Sequence, residues 1–324
     1  MKWKKRADEP LFIDLPPGVE TVAFCHPDWR GIRAAAVASE LPLIERRDLG
    51  AGSAQLVEIL QATGVERILV HGYPPGTEIL LSEAKRRGLW TACILHSSPA
   101  QHTGDGVEGS VAQRALELSG AGVIDKVGFV KKGVAEAFAA LGYRAEHLPN
   151  RSPRATTSNR MDLGEGLHVG VFAEPIFRKN VATQILAASM LTGAVIHVMR
   201  APDLAYLRAC RIVEHGETGW SDFQGLLASM DLNLYVTLSE CHPMTPLESY
   251  LGGVPCLVSD TSELFEGDAV LHDLTVVAQH DNPTTVARAA MRLLEERSLA
   301  VASARNWIRQ ADTRSAEALN AFLG

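Results

Sequence analysis

The sequence predicts an α/β protein made of two doubly wound, Rossmann-like domains that face each other across a cleft. Short apolar runs alternate with longer helical stretches along the whole chain. This alternation stops in a polar segment at 149–166, rich in Pro, Ser, Thr and Gly, and then restarts. The 324 residues, of which 46% are hydrophobic, are enough for two cores. Strands that alternate with helices run parallel, because the helices are their crossover connections.

The first half contains six strand signals separated by helix signals. The predicted strands span 21–26, 41–44, 67–71, 91–96, 127–130 and 144–148. The predicted helices span 32–39, 53–63, 77–87, 111–119 and 132–141. We assign residues 1–155 to an N-terminal domain.

The same rhythm returns after the polar segment. The predicted strands of the second half span 167–172, 194–198, 210–214, 232–238 and 255–259. The predicted helices span 180–191, 204–209, 221–229, 245–251, 284–296 and 299–322. We assign residues 166–305 to a C-terminal domain, and residues 306–324 to a final helix. Ligands of open α/β sheets bind at the carboxyl ends of the strands, which here border the cleft.

Composition and charge narrow the possible functions. The net charge is −7 and no long basic stripe occurs, so we expect no nucleic-acid partner. The five cysteines lack C-x-x-C spacing, which indicates free thiols in a reducing compartment and no metal site. No apolar run approaches the roughly 18 residues of a membrane span. We therefore expect a cytoplasmic protein, while the basic residues 1–6 leave open a weak, peripheral contact with the inner membrane face.

The strongest functional signal is the segment 239–260, SECHPMTPLESYLGGVPCLVSD. A strand signal ends at Glu240, a loop with two prolines follows, and a helix signal begins near Thr245, which places Glu248 in its first turn. Free N–H groups at a helix start suit phosphate. The two carboxylates can accept hydrogen bonds from sugar hydroxyls. The pattern favours a nucleotide-sugar site over two unrelated glutamates at the ends of a strand and a helix.

Glu240 and Glu248 form an E-x7-E pair that is followed by Gly-Val-Pro and a further strand. This arrangement resembles the donor site of the family 4 glycosyltransferases (glycosyl transferases group 1), which are retaining enzymes of the GT-B fold. The resemblance implies that Glu240 is catalytic and faces the transferring sugar, and that Glu248 holds the ribose. It also places the loop residues Met244 and Thr245 against the diphosphate. The glycines usual in this loop are missing here, which leaves the identity of the sugar open.

A basic pair lies in the segment 170–180, GVFAEPIFRKN. Arg178 and Lys179 follow a buried strand and precede a helix signal that begins at Asn180. Cations at a strand end and a helix start form a site for pyrophosphate. The resemblance assigns this pair to the donor diphosphate; a solvated pair at a loop tip is the alternative.

Three more positions enter through the resemblance. His215, in the turn 215–217, matches the turn that lies against the nucleotide base in the family, and a plain surface turn is the alternative. His96 ends a strand and matches a histidine that approaches the donor sugar, so it is a second catalytic candidate. Gly31 stands where the family has a glycine-rich loop near the diphosphate. His26 and His71 also end strands, and all three strand-end histidines are expected to point into the cleft.

The resemblance implies transfer of a hexosyl group from a nucleotide diphosphate sugar to the hydroxyl of a glycan, lipid-linked or other acceptor. It also implies that the domain 1–155 lies on the acceptor side of the cleft and that the domain 166–305 binds the nucleotide-sugar donor. The anomeric configuration would be retained, in bacterial polysaccharide or glycoconjugate synthesis, and the last helix would pack back on the N-terminal domain. We expect no cofactor other than the donor substrate, and no metal, since GT-B enzymes stabilise the leaving diphosphate with cations and helix dipoles.

Motifs of competing enzyme classes are missing from the sequence. There is no G-x-G-x-x-G after the first strand, no G-x-x-x-x-G-K-[ST] and no G-x-S-x-G. Two alternatives of the same fold remain open. One is a binding or scaffold protein that has lost catalysis, and the other is a sugar-nucleotide epimerase.

Overall fold

The computed structural model describes residues 15–104, 107–154 and 160–324. The basic N-terminal segment 1–6 lies outside these ranges. The described strands are β1 Thr21–Cys25, β2 Leu43–Glu45, β3 Arg67–His71, β4 Trp90–Leu95, β5 Lys126–Phe129, β6 Ala145–His147, β7 Leu167–Val171, β8 Ala194–Val198, β9 Ile212–Glu214, β10 Leu232–Tyr235, β11 Cys256–Ser259 and β12 Val276–Val277.

The described α-helices are α1 Arg30–Ala38, α2 Ser53–Ala62, α3 Thr77–Arg86, α4 Pro99–Gly104, α5 Val107–Gly120, α6 Lys132–Ala140, α7 Val181–Ser189, α8 Trp220–Ala228, α9 Met244–Leu251, α10 Ala269–Thr275, α11 Pro283–Glu295 and α12 Arg297–Leu323. Short 3-10 helices span Phe177–Lys179, Ala205–Ala209 and Asp260–Ser262. No helix in the described part of the chain is both long and apolar enough to cross a membrane.

The strands form two six-stranded parallel sheets. The first sheet has the order β2-β1-β3-β4-β5-β6, and the second has the order β12-β11-β10-β7-β8-β9. Every strand pair is parallel, because each crossover passes over a face of its sheet. The strand order reverses between β1 and β3 in one sheet and between β7 and β10 in the other. The α/β fold class with two doubly wound domains is confirmed.

The second sheet departs from the sequence prediction at two places. Strand β10 ends at Tyr235 instead of residue 238, because the next backbone N–H groups leave the ladder. Val236 N–H donates to Oε1 of Gln184 at 2.9 Å, and Leu238 N–H donates to the carbonyl of Arg178 at 2.8 Å. These two bonds turn the chain toward the loop that follows β7. Helix α10 and strand β12 were not predicted at all.

Several contacts join the two sheet systems. The ring of Phe322, near the end of α12, is fully buried and lies edge-on to Trp90 of the first sheet, with ring centroids 5.8 Å apart. The hydroxyls of Ser98 and Ser239 are hydrogen-bonded at 2.6 Å. Nζ of Lys131 lies 3.2 Å from a carboxylate oxygen of Glu263. The Ser98–Ser239 and Lys131–Glu263 contacts join the carboxyl edges of the two sheets, whereas Phe322 packs at the amino end of β4.

Candidate functional site

The candidate site lies where the strand order of the second sheet reverses, at the carboxyl ends of β7 and β10. Such a switch point opens a crevice between the loops that leave the two strands. The loop after β7 ends in the 3-10 turn Phe177–Lys179, and Asn180 then adopts a left-handed conformation with φ 54°. Nδ2 of Asn180 donates to the carbonyl of Val236 at 3.1 Å and to that of His280 at 2.6 Å. Asn180 therefore fixes the basic pair against the end of β10.

Lys179 and Glu240 form a buried ion pair at this crevice. Nζ of Lys179 donates to Oε1 of Glu240 and to the hydroxyl of Tyr235, the latter at 2.6 Å. The Tyr235 hydroxyl in turn donates to Oε1 of Glu240 at 3.1 Å. Burial lowers the pKa of Lys179, whereas the neighbouring carboxylate opposes that shift. Burial also raises the pKa of Tyr235, so its hydroxyl keeps the proton that it donates.

Arg178 is the second cation of the crevice. Its Nη1 lies 3.5 Å from Oε1 of Glu240, and its Nε is buried without a hydrogen-bond partner among the described residues. Two basic side chains therefore face one carboxylate, and part of the guanidinium remains unpaired. Because a guanidinium offers paired donors that match phosphate oxygens, this arrangement can accept a further anion.

Glu248, the second carboxylate of the E-x7-E pair, lies in helix α9 and has different surroundings from Glu240. Helix α9 begins at Met244, so Glu248 is its fifth residue and belongs to the second turn, which corrects the first-turn placement. The side chain is only 7% exposed, and Oε1 has no hydrogen-bond partner in the described part of the chain. Burial raises the pKa of this carboxyl to about 7. A buried carboxyl without a partner is costly, which marks Glu248 as a ligand-facing group.

The first turn of α9 brings the two halves into contact. Met244 is buried against three alanines of α1, Ala34, Ala35 and Ala38. Thr245 is partly buried, and no side chain caps the helix at Pro243. The N–H groups of this turn have no partner within the helix, as at any helix start. They remain available to an anion, although the Met244 side chain itself faces the first domain.

The N-terminal candidates lie across the junction. Gly31 is the second residue of α1 and has open space where a Cβ would stand. His26 stacks on Trp29 with ring centroids 4.9 Å apart, and its Nδ1 accepts from the N–H of Asp28 at 3.2 Å. His96 is partly buried, and its Nε2 has no partner among the described residues. Burial holds the pKa of His96 well below its usual range, so the ring is neutral at pH 7.

His71 does not point into the cleft. It is buried and lies 5.6 Å from His96 between ring centroids, and it lines a small cavity of about 30 Å³ together with Ser39, Arg151 and Ser315. Both ring nitrogens of His71 and Oγ of Ser315 are buried without partners in the described structure. The expectation for His71 is therefore wrong, because α1 and α12 close over the end of β3.

His215 follows β9 and belongs to a row of hydrogen-bonded histidines that the sequence reasoning missed. His168 of β7, His197 of β8 and His215 are linked ring to ring. One signal in the sequence pointed to this row: two neighbouring strands carry a histidine, and the third is followed by one. Tyr235, which bridges Lys179 and Glu240, was also missed; its place at the end of a buried strand was the available signal.

No protein-family model matches the chain, and no curated protein matches it in sequence. Solved structures do match. One is the E. coli trehalose-6-phosphate enzyme bound with UDP-2-fluoro glucose, with 11% identity and a TM-score of 0.61 over 94% of this chain and 98% of that chain. Sucrose-phosphate synthase from Thermosynechococcus elongatus has 15% identity and a TM-score of 0.59, covering 88% of this chain and 81% of its own. The chain has the GT-B fold.

A third similar structure is the α,α-trehalose-phosphate synthase (UDP-forming) from Burkholderia xenovorans in complex with glucose-6-phosphate. It shares 14% identity with a TM-score of 0.56, over 90% of this chain and 81% of that chain. The GT-B fold places the crevice described above between its two domains. The roles of Glu240, His96, Arg178, Lys179, Glu248, Met244, Thr245, His215 and Gly31 stay predictions at these positions. The described residues hold no group of three or more His, Cys, Asp or Glu side chains that could bind a metal ion.

Proposed function

We propose that the protein is a glycosyltransferase that moves a sugar from a nucleoside diphosphate sugar to a hydroxyl acceptor with retention of configuration. The observation that carries this proposal is the arrangement at the β7 and β10 ends. Arg178 and Lys179 stand beside Glu240, and the unpartnered carboxyl of Glu248 lies one helical turn inside α9. A nucleotide sugar has both the anionic and the hydroxyl groups that this set of side chains can bind.

The diphosphate binds to the basic pair and to the start of α9. Arg178 supplies the unpaired Nε and a free edge of its guanidinium, and Lys179 supplies a point charge. The N–H groups at Met244 and Thr245 add the positive end of the helix dipole. These groups also stabilise the charge that develops on the leaving diphosphate, so neither a metal nor another cofactor takes part. The ribose hydroxyls donate to Glu248, which gives this buried carboxyl the partners that it lacks.

Glu240 changes partners when the donor binds. In the free protein Lys179 and Tyr235 occupy its Oε1. Phosphate oxygens compete for the Lys179 ammonium, which frees Glu240 to accept a hydrogen bond from the transferring sugar. The neutral ring of His96 faces the same sugar from the first domain. No protein nucleophile is required, because the leaving phosphate oxygen can take the acceptor proton on the same face of the sugar.

The similar structures support a nucleotide-sugar donor and leave several acceptors open. One of them holds UDP-2-fluoro glucose and another glucose-6-phosphate. A sugar phosphate therefore joins the glycan, lipid-linked and other hydroxyl acceptors to be tested. A scaffold protein and a sugar-nucleotide epimerase are the two alternatives for the same fold.

The proposal is tested by turnover with a panel of nucleotide sugars, with and without acceptors, following release of the nucleoside diphosphate. We expect release that depends on an acceptor, and a product whose anomeric configuration, read by NMR, matches the donor. Glu240→Gln should lower kcat on the order of 10²-fold, because its contact to the sugar is strongest in the transition state. Glu295→Gln, at an exposed site on α11, is the matched control.

Each alternative has its own outcome in this experiment. Binding without any turnover favours the scaffold, and epimerised sugar formed without an acceptor favours the epimerase. Normal turnover in Glu240→Gln would remove Glu240 from the catalytic machinery.

A further inference from the structure

Three histidine rings form a continuous hydrogen-bonded row across the second sheet. Nδ1 of His168 lies 2.9 Å from Nε2 of His197, and Nδ1 of His197 lies 2.9 Å from Nε2 of His215. At the inner end, Nε2 of His168 lies 3.3 Å from the carbonyl oxygen of Gly164. The parallel register pairs Gly170, two residues after His168, with His197, and it pairs His197 with Val213, two residues before His215. Because side chains alternate along a strand, the three rings lie on one face of β7, β8 and β9.

The carbonyl at the inner end determines where every proton of the row lies. A carbonyl oxygen can only accept, so Nε2 of His168 carries a proton, and in the neutral form of this ring Nδ1 is then the lone pair. That lone pair requires a proton on Nε2 of His197, which leaves Nδ1 of His197 as an acceptor. Because Nδ1 of His197 accepts, its partner Nε2 of His215 must carry a proton. The outermost ring therefore presents an unprotonated Nδ1.

The pKa shifts of His197 and His215 agree with neutral rings at these two positions. Burial lowers the pKa of His197 to about 4 and also lowers the pKa of His215. Nδ1 of His215 makes no hydrogen bond with any described residue. Within this row, the free nitrogen of His215, Nδ1, can therefore only accept a hydrogen bond.

The spacing between His215 and the basic pair suits a nucleotide whose base lies at His215 and whose diphosphate lies at Arg178 and Lys179. β9 is separated from β7 by β8, so the two outer strands lie about 10 Å apart. His215 follows β9 at the same edge where Arg178 and Lys179 follow β7. Phe172, at the end of β7, lies 6.4 Å from the His215 ring between centroids and offers an apolar neighbour. In the next loop, Oγ1 of Thr218 is buried without a partner among the described residues.

We propose that His215 selects the nucleobase of the donor by accepting a hydrogen bond at Nδ1 from a ring N–H. Uracil at N3 and guanine at N1 carry such a proton. Cytosine at N3 and adenine at N1 carry a lone pair instead, which would face the lone pair of His215. A site that is built for a hydrogen bond rejects the analogue that lacks the donor, because its polar group is then left unpaired. His168 and His197 act as positioning residues. This inference rests on the proposed function, since it takes the bound diphosphate as the anchor.

Calorimetry with four nucleoside diphosphates tests the selection, comparing UDP with CDP and GDP with ADP so that ring size is matched. We expect the N–H base to bind about tenfold or more tightly in the ring class that the protein prefers. His215→Ala should reduce that ratio about tenfold while diphosphate binding persists, and His272→Ala, an exposed histidine on α10, should leave the ratio unchanged. Long-range ¹H–¹⁵N spectra of histidine-labelled protein should show His168, His197 and His215 protonated at Nε2 only.

Each result decides a different claim. A proton on Nδ1 of His215 at neutral pH would overturn the inference, whatever the protein binds. Binding without base preference, or a preference that survives His215→Ala, would overturn it and leave the proposed function intact. Failure of all four diphosphates to bind would overturn both.

Discussion

At the scale of single residues, two carboxylates on one loop and helix have opposite surroundings. Glu240 is surrounded by Lys179, Arg178 and Tyr235. Glu248 is buried with no partner for its Oε1 among the described residues. The spacing in the sequence identified both residues, but it carried no information on what surrounds them, because the partners of Glu240 come from the loop after β7 and from the end of β10. This difference supports separate roles in the proposed reaction. Glu248 accepts hydrogen bonds from the ribose hydroxyls, and Glu240 becomes free for the sugar when the donor phosphate binds Lys179.

Glu248 should make the ligand-free protein less stable as the pH rises. The folded protein holds the Glu248 proton up to about pH 7, whereas the unfolded chain releases it near the ordinary value of 4.5. Between these values the unfolded state binds fewer protons, so the free energy of unfolding falls with increasing pH. One pKa unit corresponds to about 1.4 kcal/mol, which gives a loss on the order of 2–3 kcal/mol by pH 8.

Glu248→Gln removes this titration and serves as the comparison. Urea unfolding at pH 5 and pH 8 should show the wild-type protein losing stability relative to the variant across that interval. An equal pH dependence of both proteins would contradict a buried, unpaired Glu248. Nucleotide affinity of the wild type should also rise from pH 6 to pH 8, since hydroxyl donors favour the ionised carboxylate.

At the scale of elements, β7 is the strand that positions the site, and its side-chain packing leaves the least space at Gly170. A Cβ at Gly170 would lie 2.2 Å from Oδ1 of Asn233 and 2.4 Å from the Phe172 ring. Asn233 is itself fixed, since its Nδ2 donates to the carbonyl of Leu227 and to Oγ of Ser249. Neither neighbour can move away without breaking the packing under the crevice.

Gly170→Ala is therefore expected to lower the free energy of unfolding by about 1–3 kcal/mol, the usual cost of overpacking. Gly133→Ala in α6 is the matched control, because nothing lies within 4 Å of its added Cβ. Loss of chain entropy in the unfolded state should make that variant neutral or about 0.4–1 kcal/mol more stable. Chemical denaturation of both variants decides the point; similar stabilities would contradict the close packing at Gly170.

The strands were predictable because their apolar runs are buried on both faces, as 67–71 and 194–198 illustrate with identical observed bounds. Helix α10 was missed because its seven residues are too few to display a helical period. The site was less predictable. The partners of Glu240 and the burial of Met244 against α1 depend on contacts between distant segments. Local patterns in a sequence do not carry that information.

At the scale of the whole molecule, the last helix links the two sheet systems. Helix α12 spans Arg297–Leu323 and packs its first turns in the second core, with Ala300 and Ala304 buried there. Its end reaches the first sheet, where Phe322 contacts Trp90 and lies beneath Nζ of Lys126 at 5.3 Å. Oγ and N–H of Ser152, in the segment between the domains, both bind Asp312 of the same helix.

Phe322→Ala should therefore destabilise the first domain by about 3–5 kcal/mol, the typical cost of deleting a buried aromatic ring. Leu299→Ala is the control, because this residue lies on the same helix and is 50% exposed. Hydrogen exchange should show faster opening of β4 and β5 in Phe322→Ala, with little change in β7 and β8. Unchanged exchange in the first sheet would contradict a docked helix end.

The central claim is that the crevice at β7 and β10 binds a nucleoside diphosphate through its basic pair. Titration calorimetry of UDP, GDP and ADP into the wild-type protein and Arg178→Ala tests it most directly. Arg208→Ala is the control, since Arg208 is exposed and its ion pair within the described part of the chain is a 4.0 Å contact with the exposed Asp203.

We predict binding of one diphosphate per chain. Arg178→Ala should weaken it about tenfold to a hundredfold, because a charge-assisted contact is lost. Arg208→Ala should leave the affinity unchanged. Absence of binding to the wild type, or equal affinity in wild type and Arg178→Ala, would contradict the claim.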